Sequence, residues 1–213
     1  FSNTSITFNF IDFTDGDNNH YPTVKIGNQT WMAENLKTTK FSNGTAIPLV
    51  TDSLQWIALT GPGFCWYRNK ENPNKDLYGG LYNWFAVTSS NKLCPTGWHA
   101  PTDNEWSTFI TYLGTIPSHK LRSTCTTLWA GSNSTATNGT GFTALPGGWR
   151  HSANYNGKYA GLGEAADWWS STENPSNPTY GFDYYIDNSS SYSGISRESD
   201  SKNVGFSIRC IKD

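Results

Sequence analysis

The chain has few charged residues and no long hydrophobic run. Lys, Arg, Asp and Glu make up 15% of its 213 residues, and the formal net charge is −2. No segment is basic enough to indicate binding to nucleic acid or to an anionic membrane. No apolar run reaches the roughly 18 residues that a membrane-spanning helix needs. The composition therefore argues against a nucleic-acid partner and against a transmembrane segment.

The sequence also lacks a linker and an internal repeat. No change in composition separates two regions, and no fixed period points to a solenoid or a propeller. We therefore expect a single domain over residues 1–213, with 1–20 as an N-terminal strand extension. Asn, Ser and Thr supply much of the polar surface, a composition common in secreted bacterial proteins.

Cysteine is scarce, with four residues in the whole chain. None lies in a C-x-x-C motif, and no Cys/His cluster has the spacing of a zinc site. Four isolated cysteines in a chain of this composition favour two disulfides formed in an oxidising compartment. Three pairings remain open on the residues alone.

One helix is predicted with local detail. Thr102 and Glu105 have the spacing of a capping box, in which each side chain accepts a backbone amide of the other residue. An apolar stripe then follows at helical spacing, and Gly114 is a typical stop. The stripe consists of Trp106, Phe109, Ile110 and Leu113.

Most of the remaining chain is predicted as short strands between polar loops. Residues 6–13 and 21–32 alternate as strands of an early hairpin or meander. Later strands are expected at 141–145, 148–150, 167–171, 180–186, 192–195 and 204–211. The predicted class is α+β, with antiparallel sheets, one or two helices and long irregular loops.

Several ordered phrases resemble a known family. Tyr21–Lys37, Cys94–Trp106 and Gly205–Cys210 are similar to the corresponding phrases of the Fibrobacter succinogenes major paralogous domain. Further similar phrases are Cys65–Tyr67, Tyr78–Trp84, Gly141–Gly148 and Trp169–Thr172. That family is bacterial, exported and often lipoprotein-anchored, and it has no settled biochemical role.

The helix entry and the C-terminal phrase also resemble the sulfatase-modifying (formylglycine-generating) superfamily. This resemblance implies a variant C-type lectin-like fold and a disulfide between Cys94 and Cys210. A second disulfide between Cys65 and Cys125 then follows by exclusion. The oxidase chemistry is not implied, because residues 192–203 lack the reactive cysteines that it requires.

The residues do not single out a catalytic centre. No histidine shares a recognised motif with a Ser or Cys nucleophile. A glycosidase would need two carboxylates across a cleft, but spacing selects no pair among several acidic candidates. These candidates are Glu164, Asp167, Glu173, Asp183 and Asp187. We therefore expect a protein that is not an enzyme.

No cofactor is predicted. Asp15, Asp17 and Asn19 supply the first oxygens of a calcium loop, but His20 replaces the required glycine and Ile26 replaces the final glutamate. A hairpin turn explains this segment better. Calcium held elsewhere by loop oxygens stays open.

Aromatic residues are abundant, at 15% of the chain. Most are expected in the core, where large rings compensate for few aliphatic residues. Others could stack on sugars beside polar groups. The predicted ligand site consists of Trp149, Arg150, Tyr155, Tyr159, Trp168, Tyr184, Tyr185 and Tyr192. Within the Trp168–Trp169 pair, we assign Trp169 to the core and Trp168 to the surface, because strand neighbours point to opposite faces.

These features favour a non-catalytic adhesion or capture module. The helix entry at Gly97–Thr102, the Trp169–Thr172 strand and the Arg209–Cys210 end also resemble the carboxy-terminal domains of bacterial collagen-like adhesins. That resemblance implies binding of glycans or host surfaces. The expected location is extracellular or in the cell envelope, on the outer-membrane surface and with lipid anchoring as one option. Expected partners are a glycan or a host or bacterial surface protein. A polysaccharide-acting enzyme and a structural module of a surface assembly are the alternatives, and oligomeric state is left open.

Overall fold

A computed structural model describes residues 14–131, 133–188 and 194–213. The strands are β1 (Thr23–Ile26), β2 (Gln29–Met32), β3 (Phe64–Cys65), β4 (Leu81–Tyr82), β5 (Trp98–His99), β6 (Gly147–Arg150), β7 (Tyr159–Leu162), β8 (Ala165–Glu173), β9 (Tyr180–Asp187), β10 (Ser196–Ser201) and β11 (Ile211–Lys212). The helices are α1 (Ser53–Ile57), α2 (Asn74–Tyr78), α3 (Trp84–Val87), α4 (Asp103–Leu113) and α5 (Pro117–Leu121), with 3₁₀ turns at Tyr67–Asn69 and Ala153–Tyr155.

The strands form small antiparallel sheets. One has the order β1-β2-β11-β5 and another the order β10-β9-β8, while β3 pairs with β4 and β6 with β7. Helices and long irregular segments cover these sheets. The structure thus confirms an α+β protein with mostly antiparallel sheets and few helices. No helix in the described ranges is long and apolar enough to cross a bilayer.

The C-terminus is fixed both by pairing and by a covalent bond. Ile211 of β11 pairs with Trp31 of β2 and with His99 of β5. Next to it, Cys94 and Cys210 form a disulfide, with 6.0 Å between their Cα atoms. This confirms the first predicted disulfide. It ties the segment before α4 to the last strand.

Helix α4 matches the prediction. The Thr102 side chain accepts the Glu105 amide, and the Glu105 carboxylate accepts the Thr102 amide over 2.8 Å. Trp106, Phe109 and Leu113 are buried, and Gly114 ends the helix with φ of 66°. Local chemistry therefore determines both ends of this helix.

The three-stranded sheet is covered on both faces, and this overturns the assignment of Trp168 to the surface. Trp168 is 1% exposed and packs 6.0 Å from the ring of Trp106 on α4. Trp169, on the opposite face, is fully buried and lies 4.8 Å from the ring of Phe206. The two neighbours do alternate, but each face has its own core cluster.

The second predicted disulfide is also wrong. Cys65 lies on β3 in a core cluster with Trp56 and Tyr67, whereas Cys125 is exposed in the segment after α5. Both cysteines are free. Because one thiol lies in the interior and the other on the surface, the two cannot form a disulfide without rearrangement of the fold.

Three predicted strands differ from the observed ones. Residues 141–145 form a loop whose Ala144 makes only an isolated bridge to Arg122. Of the predicted strand 204–211, residues 205–207 also make isolated bridges, and only Ile211 belongs to a named strand. Strand β10 lies at Ser196–Ser201, just beyond the predicted 192–195. The predicted strand at 6–13 falls outside the described residues.

Candidate functional site

A cleft of about 470 Å³ lies on the face of the β8–β9–β10 sheet that points away from α4. The floor of the cleft is this sheet face. On it, Asp167 of β8 is opposite Tyr185 of β9, and Asp183 of β9 is opposite Trp169 of β8 on one side and Glu198 of β10 on the other. Side chains of one face alternate along each strand. The lining residues are Trp149, His151, Tyr155, Glu164, Ala165, Asp167, Asp183, Tyr185, Asp187, Asn188, Glu198, Asp200, Val204 and Phe206.

Aromatic rings form the walls of this cleft. Trp149 meets His151 edge-to-face with ring centroids 5.5 Å apart, and His151 lies 4.3 Å from the ring of Tyr155. Tyr155 is 62% exposed, and Tyr185 of β9 is half-buried. Rings from the β6 segment, the turn after it and β9 thus face one concave space.

The position of Trp149 depends on a glycine. Trp149 on β6 is opposite Ala160 on β7, and its ring lies against the backbone of Gly161. A Cβ atom at Gly161 would lie 1.9 Å from the Trp149 ring, and Gly161 has φ of +73°. Only glycine suits both conditions at this position.

The floor is acidic and unusually buried. Asp183 is 1% exposed and Asp167 is 7% exposed. Asp167 Oδ2 and Asp183 Oδ1 have no hydrogen-bond partner within the part of the chain that the structure describes. Buried carboxylate oxygens without donors are rare because the lost hydration is not replaced. Such atoms at the bottom of a cleft point to an external donor.

Burial and mutual repulsion shift the acidities of these groups. Burial, with the charges of Asp200 and Asp187, raises the pKa of Asp167 well above its usual value. Burial also raises the pKa of Asp183, with further contributions from Asp200, Asp167 and Glu198. Burial and Glu198 raise the pKa of Asp200. The floor therefore holds protons more tightly than isolated carboxylates would.

The structure brings together part of the predicted ligand site. Trp149, Tyr155 and Tyr185 line the cleft. Tyr159 is outside the lining, because it lies opposite Arg150 and its ring packs 5.3 Å from that of Tyr67. Its hydroxyl donates to Asn69 Oδ1 over 2.6 Å. Tyr192 lies outside the described residues. The remaining predictions concern Arg150, Trp168 and Tyr184.

Arg150 belongs to the core and not to the ligand site. Its guanidinium is fully buried and donates to the carbonyl oxygens of Gly157, Val50 and Thr51. It also lies 4.6 Å from the centre of the Trp56 ring. These contacts fasten two segments, residues 50–51 and the turn at Gly157, and the buried guanidinium presents no surface to a ligand.

Trp168 and Tyr184 lie on the opposite face of the sheet. Trp168 donates its indole N–H to Asn35 Oδ1 over 2.9 Å. Tyr184 stacks 4.9 Å from the ring of Trp106, and its hydroxyl lies 2.6 Å from Asp103 Oδ1. Both therefore join the sheet to helix α4 and do not reach the cleft.

The carboxylates are what the site prediction missed. Asp167 and Asp183 are among the five acidic candidates that spacing does not rank, and Glu198 and Asp200 are not among those candidates. A signal was present: acidic residues are four positions apart at 183 and 187 and two positions apart at 198 and 200, and both separations are even. In a strand, residues separated by an even number of positions lie on one face.

Within residues 14–131, 133–188 and 194–213, no group of three or more His, Cys, Asp or Glu side chains is placed to hold a metal ion. In the 15–19 segment, both oxygens of Asp15 accept hydrogen bonds, from the Asp17 and Asn19 amides and from the Asn19 and Tyr21 side chains. This segment is a hairpin turn closed by a bridge between Thr14 and His20.

The comparisons with known proteins identify the family. The model of the Fibrobacter succinogenes major domain matches residues 24–212. The chain belongs to this family. No curated protein and no solved structure matches the chain significantly. The cleft and its disulfide-tied frame both lie inside the matched region, so they are features of this chain's Fibrobacter succinogenes major domain.

Proposed function

We propose that this domain is a non-catalytic binding module whose cleft binds a glycan. The module would act in adhesion or capture at the bacterial surface or envelope, where lipid anchoring would suit the family. Its small antiparallel sheets, few helices and long loops also support a C-type lectin-like fold, which remains part of the proposal.

One observation carries the proposal: Trp149, Tyr155 and Tyr185 come from separate segments and line the same cleft. Flat rings match the apolar C–H face of a pyranose, and Tyr155 is largely exposed and free to stack on it. A concave site with rings and a few convergent polar groups is the usual form of a small-ligand site. Asp187 and Asn188 at the rim offer hydrogen bonds to hydroxyl groups.

The rings are also held in place before any ligand arrives. Trp149 is fixed against Gly161 and His151, and Tyr185 is fixed on a central strand of its sheet. Preorganised rings lose little conformational entropy on binding. The cleft thus combines an ordered wall with an exposed ring at its mouth.

A glycan array followed by calorimetry tests the proposal. For the glycans that bind, Trp149→Ala and Tyr155→Ala should each weaken binding by about fivefold or more, since a stacking ring contributes on the order of 1 kcal/mol. Tyr112→Ala is the matched control, because Tyr112 is 64% exposed and lies on α4, away from the cleft. Equal loss in the control would contradict a binding site in the cleft. An array without any positive, together with capture of a protein partner, would favour the structural-module alternative.

The buried carboxylates support one competing function, hydrolysis of a polysaccharide. A carboxyl group with a raised pKa in an aromatic cleft is the usual general acid of a glycosidase. Asp167→Asn and Asp183→Asn distinguish the two functions. Reproducible turnover of a purified polysaccharide that is lost in both variants would establish the enzyme. Binding without turnover supports the module.

A further inference from the structure

We propose that the glycan carries free primary amines, and that one ammonium group binds between Asp167 and Asp183. The ligand would then be an amino-sugar polymer that is not acetylated. This inference rests on the proposed glycan-binding function and specifies its substrate class.

The first support is the unmet hydrogen-bonding capacity of the floor. Asp167 Oδ2 and Asp183 Oδ1 are buried acceptors without a donor among the described residues. The two residues are diagonal neighbours on one sheet face, since Asp167 is opposite Tyr185 and Asp183 is two positions earlier on β9. Such neighbours lie about 7–8 Å apart, which leaves room for one small group between them. An ammonium group carries three N–H donors and no acceptor, so it matches paired acceptors.

The second support is the charge of the whole lining. Glu164, Asp187, Glu198 and Asp200 surround the buried pair. Among the lining residues that the structure describes, His151 is the one side chain that could be positive, and burial lowers its pKa and so disfavours its charged form. A cation would reduce the repulsion among these carboxylates, whereas a neutral acetamide or hydroxyl would not.

The third support is that the walls also favour an organic cation. Trp149 and Tyr185 present rings to the same space, and aromatic faces attract ammonium groups. A metal ion is a poorer match, since the described residues contain no group of three ligands for one. In an amino sugar, the ammonium group can contact the carboxylates of the floor while the apolar face of the sugar ring contacts the aromatic walls.

Calorimetry with three matched hexasaccharides tests this inference. The β-1,4-linked hexamers of glucosamine, N-acetylglucosamine and glucose share one backbone and differ at carbon 2, which carries an ammonium, an acetamide or a hydroxyl group. We expect the glucosamine hexamer to bind at least tenfold more tightly than the other two. Asp167→Asn and Asp183→Asn should each remove this preference. Asp76→Asn, which changes a carboxylate with a 77% exposed side chain outside the lining, should keep it.

Several outcomes would overturn the inference. Equal affinity for the three hexamers, with binding lost in Trp149→Ala, would refute the ammonium site and leave the glycan-binding function intact. Equal binding of hexalysine would show simple charge attraction and would also refute it. Binding of no glycan at all would refute the proposed function itself. Glu198→Gln, at an exposed lining position, gives a second test if a floor variant does not fold, and it should weaken the preference for glucosamine.

Discussion

Arg209 Nε donates to Asn35 Oδ1 over 2.8 Å, and this bond joins the segment before β11 to the bend and loop that follow β2 at residues 33–38. The same Asn35 oxygen accepts the indole N–H of Trp168. Arg209 is fully buried and also donates to the carbonyl oxygens of Phe142 and Thr143. One buried guanidinium thus connects the N-terminal region, the 141–145 loop and the strand that carries Asp167.

The first prediction concerns this guanidinium. Arg209→Met should lower the free energy of unfolding by about 3 kcal/mol or more, because several buried carbonyl oxygens and Asn35 lose their donor. Urea denaturation measures the loss. Arg197→Met is the control: Arg197 is half-exposed in an ion pair with Asp103, and the cost should stay below about 1 kcal/mol. Equal costs would contradict a central role for Arg209.

The second prediction concerns the disulfide. Cys94 and Cys210 are 116 residues apart in sequence. Replacing both with Ser should lower stability by about 4–5 kcal/mol in the chain-entropy model, because the unfolded chain regains a long loop. Denaturation of the double variant checks this. Cys125→Ser, at an exposed free thiol, should change stability little, and a large effect there would contradict the assignment of the free cysteines.

The third prediction concerns pH and His99. Partial burial opposes its charged form, but hydrogen bonds to Asp213 at 2.6 Å and Glu105 at 2.8 Å outweigh burial and raise the pKa of His99 above 6.5. The charged form therefore stabilises the fold below pH 6.5, and this contribution is lost as the pH rises through the folded-state pKa.

Thermal unfolding between pH 5.5 and 8.5 measures this effect. The melting temperature of the natural protein, minus that of His99→Gln, should fall by about 1–3 °C as the pH rises, a small effect because the pair is partly exposed. The subtraction cancels the other histidines. A difference that grows with pH would contradict the sign.

The fourth prediction concerns the cleft floor. Burial raises the pKa of Asp183 in the folded protein. As the pH rises above 3.8, the Asp183 carboxyl therefore ionises in the unfolded state before it does so in the folded state. The free energy of unfolding falls over this range, until the folded-state carboxyl ionises as well. Asp183→Asn removes this penalty. We expect it to raise stability at pH 7 by about 1–2 kcal/mol while it weakens ligand binding. A destabilised variant would show instead that Asp183 has a structural partner.

What the sequence could predict was local. Helix α4 follows from the Thr102–Glu105 cap and the stripe behind it, and both signals lie within a few residues. The Cys94–Cys210 bond came from family resemblance and was confirmed. The residues that determine the helix are close together in the chain, and the two cysteines lie in segments whose sequence resembles a known family.

What the sequence could not predict depended on distant segments. Alternation correctly separated Trp168 from Trp169, but it could not show that α4 covers one face and Phe206 the other. Arg150 was assigned to the ligand site, but its partners are backbone carbonyl oxygens of Val50 and Gly157. Because every residue has a backbone carbonyl, the sequence does not show which ones an arginine will bind. Asp167 and Asp183 meet only after β8 and β9 pair.

The most direct test of the binding cleft is the indole N–H spectrum of the protein during titration with the glucosamine hexamer, with the Trp149 signal assigned from Trp149→Phe. We predict that the Trp149 resonance shifts in a saturable manner while the buried Trp168 and Trp169 resonances stay nearly constant. A saturable shift at other indoles with Trp149 unchanged would contradict the account.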